Sequence, residues 1–143
     1  MNYVMEMSTD ADIINTTVNV AWNPITQRYT WHQVSATNLG IPAPATIIVI
    51  AHGNNNEIGN AGLGVDIDAE YFLVLVQQNM APGPSPDAVY ISTCGRGIAE
   101  FSAAVRIAAE NNQIWQNTRI YGHCDPVSGP VPPPSDIRWV EIF

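Results

Sequence analysis

The chain predicts an α/β fold: a mostly parallel central sheet flanked by helices, with an antiparallel N-terminal edge unit. Three observations carry that expectation. Residues 46–51 (TIIVIA) and 88–93 (AVYIST) are short apolar runs rich in β-branched residues, as expected of strands buried on both faces. A helical apolar stripe follows each run, and a further strand-like run at 118–122 closes the series. The resulting order β-α-β-α-β implies parallel strands joined by right-handed crossovers.

Taken in order, residues 3–7, 17–22 and 29–34 read as β-rich runs with partial alternation. Asn23-Pro24 at the start of residues 23–27 suits a hairpin turn between the latter two, which places His32 in a strand. Residues 39–44 contain Pro42 and Pro44 and form a stiff connector into the first central strand. Residues 57–65, with Gly59, Gly62 and Gly64, read as a mobile loop. Asp66 or Asp68 then caps a helix from about Ala69 to Met80, with Tyr71, Phe72, Leu75, Val76 and Met80 facing inward. The Pro- and Gly-rich residues 81–86 end it. A second helix spans about 98–112, with Ile98, Phe101, Val105 and Ala108 as its stripe and Asn111-Asn112 as its stop signal. A Pro-rich loop at 127–134 leads to a last strand at 137–143. The 143 residues suit one domain: an N-terminal β unit at 1–36, a core at 46–125, and the loop and last strand at 126–143.

Composition narrows the classes of function. Thirteen acidic residues stand against five arginines and no lysine, a formal charge of −8. Nucleic acid, which demands clustered Lys and Arg, is therefore not an expected partner, whereas a basic peptide is compatible. No apolar run reaches membrane-spanning length, so no membrane association is expected. The opening residues lack a basic start followed by an apolar block, and only two cysteines occur. Together these features favour a reducing, cytoplasmic setting or delivery by a non-classical route.

The chemistry gathers at the strand ends. In parallel α/β sheets, sites form outside the carboxyl ends of the strands, and here those ends carry His52-Gly53, Cys94 and His123-Cys124. A cysteine just ahead of a helix N-terminus gains thiolate character from the helix dipole. A histidine on a neighbouring strand is the base such a nucleophile requires. The backbone N–H groups of Gly53 and Cys94 are the candidate donors for an oxyanion.

At these residues the chain resembles the caspase-like cysteine peptidase superfamily, which includes caspases, metacaspases, gingipains, clostripain and the autoprocessing domains of bacterial toxins. The resemblance lies in a hydrophobic block ending in His-Gly (residues 46–53, TIIVIAHG), then a second ending in Cys (residues 88–94, AVYISTC). It spans about residues 46–125 and implies a caspase-like three-layer sandwich acting on a peptide or protein substrate without a cofactor. It further implies His52 as catalytic base, Cys94 as nucleophile, and the Gly53 and Cys94 amides as oxyanion hole. A specificity pocket beside the cysteine strand would draw on Asp125, with Asp66 and Asp68 contributing, and would favour a basic residue. Members of the superfamily are often held inactive until a regulatory partner or small-molecule activator acts.

Other readings compete. An inactive relative retained for binding is one, and the Pro-rich residues 131–134 would suit docking. A zinc site from His52, Cys94, His123 and Cys124 is another, though adjacent strand residues point to opposite faces and serve one tetrahedral ion poorly. A phosphate-binding role for the Gly59–Gly64 loop is weakened by the absence of a lysine and of a fingerprint spacing.

Overall fold

A computed structural model describes residues 1–54, 56–93, 98–123 and 129–143. Its main sheet has the order β2-β1-β3-β6-β7-β8, where β1 is Asn2–Glu6, β2 Ile25–Tyr29, β3 Thr46–Gly53, β6 Ala88–Thr93, β7 Arg119–His123 and β8 Trp139–Ile142. All neighbours run parallel except β7 and β8. A hairpin of β4 (Glu57–Gly59) and β5 (Asp66–Asp68) pairs onto the far end of β3. The helices are α1 (Ala11–Ile14), α2 (Trp31–Ala36), α3 (Ala69–Asn79) and α4 (Ile98–Asn111). The α/β class and the mostly parallel sheet are as the sequence predicts.

The period-two alternation of strand side chains divides the core in two. Tyr3, Met5, Ile47, Val49, Ala51, Val89, Ile91 and Ile120 face one cluster, with Phe72, Leu75 and Val76 of α3 and Phe101 and Val105 of α4. Val4, Ile48 and Ile50 face the opposite cluster with Ile13, Trp22, Val131 and Trp139, joined by Tyr90 and Tyr121. The second face is aromatic. Tyr90 stacks on Tyr121 with centroids 4.2 Å apart, Trp22 and Trp139 meet Tyr90 edge-on at 4.8 and 5.0 Å, and His123 stacks on Trp139 at 4.3 Å. Burial beside Tyr121 pushes the Tyr90 phenol up to about 12.

The N-terminal unit departs from expectation. It is not antiparallel: β1 lies between β2 and β3 and is parallel to both. Residues 17–22, expected as a strand, include a short 3-10 helix (Val20–Trp22) capped by the Asn19 side chain. His32 sits in α2, not in a strand. Thr30 and Gln33 form a reciprocal capping box there, satisfying two backbone donors that an extended chain would place elsewhere. The expected mobile loop at 57–65 is partly the β4–β5 hairpin. Asp68 caps α3 by accepting from Tyr71 N–H at 2.8 Å, as one of the two expected caps. Tyr71 itself is 43% exposed, and Leu73 takes an inward place instead.

Candidate functional site

His52 is the next-to-last residue of β3 and shares the face of Ile48 and Ile50, the side on which α1 packs. There its Nε2 lies 3.0 and 2.9 Å from the two carboxylate oxygens of Asp12 and 3.4 Å from Asp10 Oδ2. A carboxylate only accepts, so Nε2 carries the proton and donates, and Nδ1 is the basic nitrogen of the neutral ring. The hydrogen bond from His52 holds the Asp12 carboxyl below the usual carboxylate range.

Asp10 is the residue that precedes α1, yet its side chain makes no capping bond within that helix. Its Oδ2 instead accepts from Ala61 N–H at 2.8 Å, which ties the start of α1 to the turn of the β4–β5 hairpin. The far end of α1 is tied as well. Arg28 on β2 donates to the Thr16 carbonyl at 2.6 Å and to the Ile13 and Ile14 carbonyls at 3.2 Å, while its Nε bonds Glu6 at 2.6 Å. Two neighbouring elements thus anchor the short segment that carries Asp12.

Gly53 ends β3. A Cβ placed on it would lie 2.8 Å from the Ile58 side chain and 3.3 Å from that of Thr93, so close packing of hairpin and β6 requires glycine there. Its amide direction follows from strand geometry. Ile50 C=O accepts from Met7 N–H on the β1 side, and Asn54 N–H donates to Glu57 C=O at 3.0 Å. Residues 50, 52 and 54 share one edge, so the Gly53 N–H faces the opposite edge, toward β6.

On β6, Thr93 pairs with Ala51 and is the last residue described before 98. Cys94 and Asp125, both expected in the site, lie outside the described residues, as does Cys124. Beside these strand ends is a cavity of about 400 Å³, lined by Asp12, Ile13, Thr16, Ile50, Ser92 and Thr93, with Gly129 and Pro130 at its border. A second cavity of about 490 Å³ is lined by His52, Gly53, Glu57 and Asp66. Of the expected pocket acids, Asp66 lines the same cavity as His52, whereas Asp68 is engaged as the α3 cap. Glu57 was not anticipated; a hydrogen bond with Asp66 and that neighbour's charge raise its carboxyl above the usual range.

No family model, curated protein or solved structure matches this chain. The geometry stands on its own.

The zinc reading fares poorly on its two described members. His52 and His123 lie on β3 and β7, with β6 between them, and His52 Nε2 is already engaged by the Asp12 carboxylate. His123 is also fully buried against Trp139, and among the described residues neither of its ring nitrogens has a hydrogen-bond partner. Among the described residues, the His/Cys/Asp/Glu side chains that converge closely enough for a cation are Asp10, Asp12 and His52. No helix among them is long and apolar enough to cross a membrane.

Neither Asp10 nor Asp12 stands out in the sequence as a partner of His52. Ser8-Thr9-Asp10 ahead of an apolar pair is a helix-start signal, and it could have revealed α1. Nothing local could have joined it to β3.

Proposed function

We propose that this domain is a cysteine endopeptidase or autoprocessing protease of the caspase-like kind, with Cys94 as nucleophile and His52 as base. The observation that carries the reading is the Asp12–His52 contact. A histidine at the carboxyl end of a central strand is held by a carboxylate with Nδ1 as its basic nitrogen, next to a strand that ends level with it at Thr93. The mostly parallel sheet with one antiparallel strand is compatible with the superfamily's architecture.

In this mechanism His52 Nδ1 takes the Cys94 thiol proton and the thiolate attacks the scissile carbonyl carbon. The oxyanion accepts hydrogen bonds from the Gly53 and Cys94 amides; the direction of the Gly53 N–H, toward β6, suits that role. Collapse breaks the C–N bond, His52 returns its proton to the leaving amine, and a thioester remains. Water, deprotonated by His52, then hydrolyses the thioester and regenerates the thiol. Asp12 orients the ring and stabilises the imidazolium that forms between the two transfers. The 400 Å³ cavity beside Ser92 and Thr93 would receive one substrate side chain, and Asp66, with Asp125, would favour a basic residue nearby.

The test is cleavage of peptide libraries and of the chain itself by wild type, Cys94→Ala and His52→Ala, together with labelling by a thiol-reactive peptide electrophile. Cleavage lost in both variants, with labelling at Cys94 faster than at Cys124, supports the reading. A wild type that cleaves nothing, with the two cysteines labelling equally, removes it and leaves a non-catalytic binding domain.

A further inference from the structure

We infer that Asn60, on the turn of the β4–β5 hairpin, is a positioning residue for His52, acting through the segment that carries Asp10 and Asp12. The inference rests on the peptidase reading for its consequence in catalysis, though not for its geometry.

One amide side chain makes the join. Asn60 Oδ1 accepts from Ser8 Oγ at 2.6 Å and from Thr9 N–H at 2.9 Å, while its Nδ2 donates to Thr9 Oγ1 at 2.9 Å. The neighbouring Ala61 N–H adds the bond to Asp10, and Ser8 Oγ accepts from Asp10 N–H at 3.1 Å. These bonds stitch residues 8–10, between β1 and α1, onto the hairpin. The hairpin continues directly from β3 and so from His52. Both partners of the Asp12–His52 contact are therefore referenced to Asn60: the imidazole through the β3–β4 ladder, the carboxylate through residues 8–10.

The turn is shaped for this side chain. Gly64 has φ +127°, and a Cβ there would lie 2.8 Å from Asn60 Nδ2. Any side chain at 64 would push the amide off its partners. Asn60 N–H donates to Val65 C=O at 2.9 Å, which fixes its backbone inside the turn. An aspartate would keep the acceptor but lose the donor to Thr9, and an alanine would lose every side-chain bond.

The geometry makes a distinct demand on experiment. The Asn60 side chain bonds Ser8, Thr9 and the Leu63 carbonyl, so its loss acts by letting the acid drift from the imidazole, and misplacement of a positioning group lowers turnover rather than binding. The experiment measures peptide cleavage and the carboxyl titration of Asp12, by carbon-detected resonance, in the full chain and in its Asn60→Ala and Thr9→Val forms. Expected are a fall in kcat of about tenfold with KM within about twofold, and a rise of the Asp12 titration toward the ordinary carboxylate range. Thr9→Val carries the test should Asn60→Ala fail to fold. An Asp12 titration unchanged in a folded variant overturns the inference, whatever the activity. An Asp12 titration that moves in a protein whose wild type cleaves nothing supports the join and counts against the peptidase reading alone.

Discussion

His52 Nε2 and Asp12 Oδ2 meet at 2.9 Å, yet one residue is next to last in a central strand and the other sits in a four-residue helix against the sheet's aromatic face. A helix that short has no independent stability. The contact exists because Arg28 and the hairpin hold both ends of the segment. Orientation of the His52 imidazole is thus a tertiary property, and it can be removed without touching the sheet.

Asp12→Asn should therefore separate orientation from folding. The amide is nearly isosteric, and the Asp12 side chain is 65% exposed, so the melting temperature should stay within about 2 °C, the surface-substitution range. Under the proposed peptidase function, turnover in the peptide assay should fall by about ten- to a hundredfold with KM little changed, because an amide holds the imidazolium less well than a carboxylate.

Arg28→Met should be strongly destabilising. The Glu6 side chain is only 7% exposed and its guanidinium partner would be gone. Removing one member of a buried pair costs about 3–5 kcal/mol; the partial exposure of Arg28 places the expected loss near the lower end. Urea unfolding measures it. The double change Arg28→Met with Glu6→Leu should recover the part of the loss due to the uncompensated charge, while the Thr16, Ile13 and Ile14 carbonyls still lack their donor.

Acid should weaken the fold through His123. Burial against Trp139, with the charge of Arg138 adding, pulls its imidazole down to about 4 from 6.5. In the folded state the ring stays neutral where the unfolded chain binds a proton, so the contribution is intact above pH 6.5 and is lost as pH falls toward 4. The full loss is about 3 kcal/mol at 1.36 kcal/mol per pH unit. His123→Phe, which keeps an aromatic ring on Trp139, should flatten that part of the stability–pH curve.

Gly59→Ala should disrupt the hairpin. Gly59 has φ +146°, and an added Cβ would fall 2.2 Å from the Val65 carbonyl oxygen, an approach that only backbone movement relieves. Expected are a loss of about 2 kcal/mol or more and faster amide exchange at Asn60, read by hydrogen exchange.

The sequence displayed the core better than the site. Residues 46–53 and 88–93 were legible because a strand buried on both faces leaves an unbroken apolar run, and α4 because Ile98, Phe101 and Val105 keep a helical period. The N-terminal third was not. Trp31 and Val34 sit among residues with β preference, and the Thr30–Gln33 capping box that makes α2 outweighs that preference. The insertion of β1 between β2 and β3 depends on pairing across distant segments, which no local pattern encodes. The same reason hid Asp12: a lone exposed aspartate in a short helix has no periodicity, and its meaning comes only from the strand it meets.

The aromatic face supplies its own optical reporter. Of the four tryptophans, Trp22 and Trp139 sit with Tyr90 and Tyr121 on one side of the sheet, while Trp31 and Trp115 belong to the helix-covered side. The stacked and edge-on rings at 4.2–5.0 Å couple their transitions, so near-ultraviolet circular dichroism should carry a signal specific to the side that bears α1. Loosening of that side would then be visible as lost ellipticity while the far-ultraviolet spectrum of the sheet and the longer helices persists, and the two faces can be followed separately in one unlabelled sample.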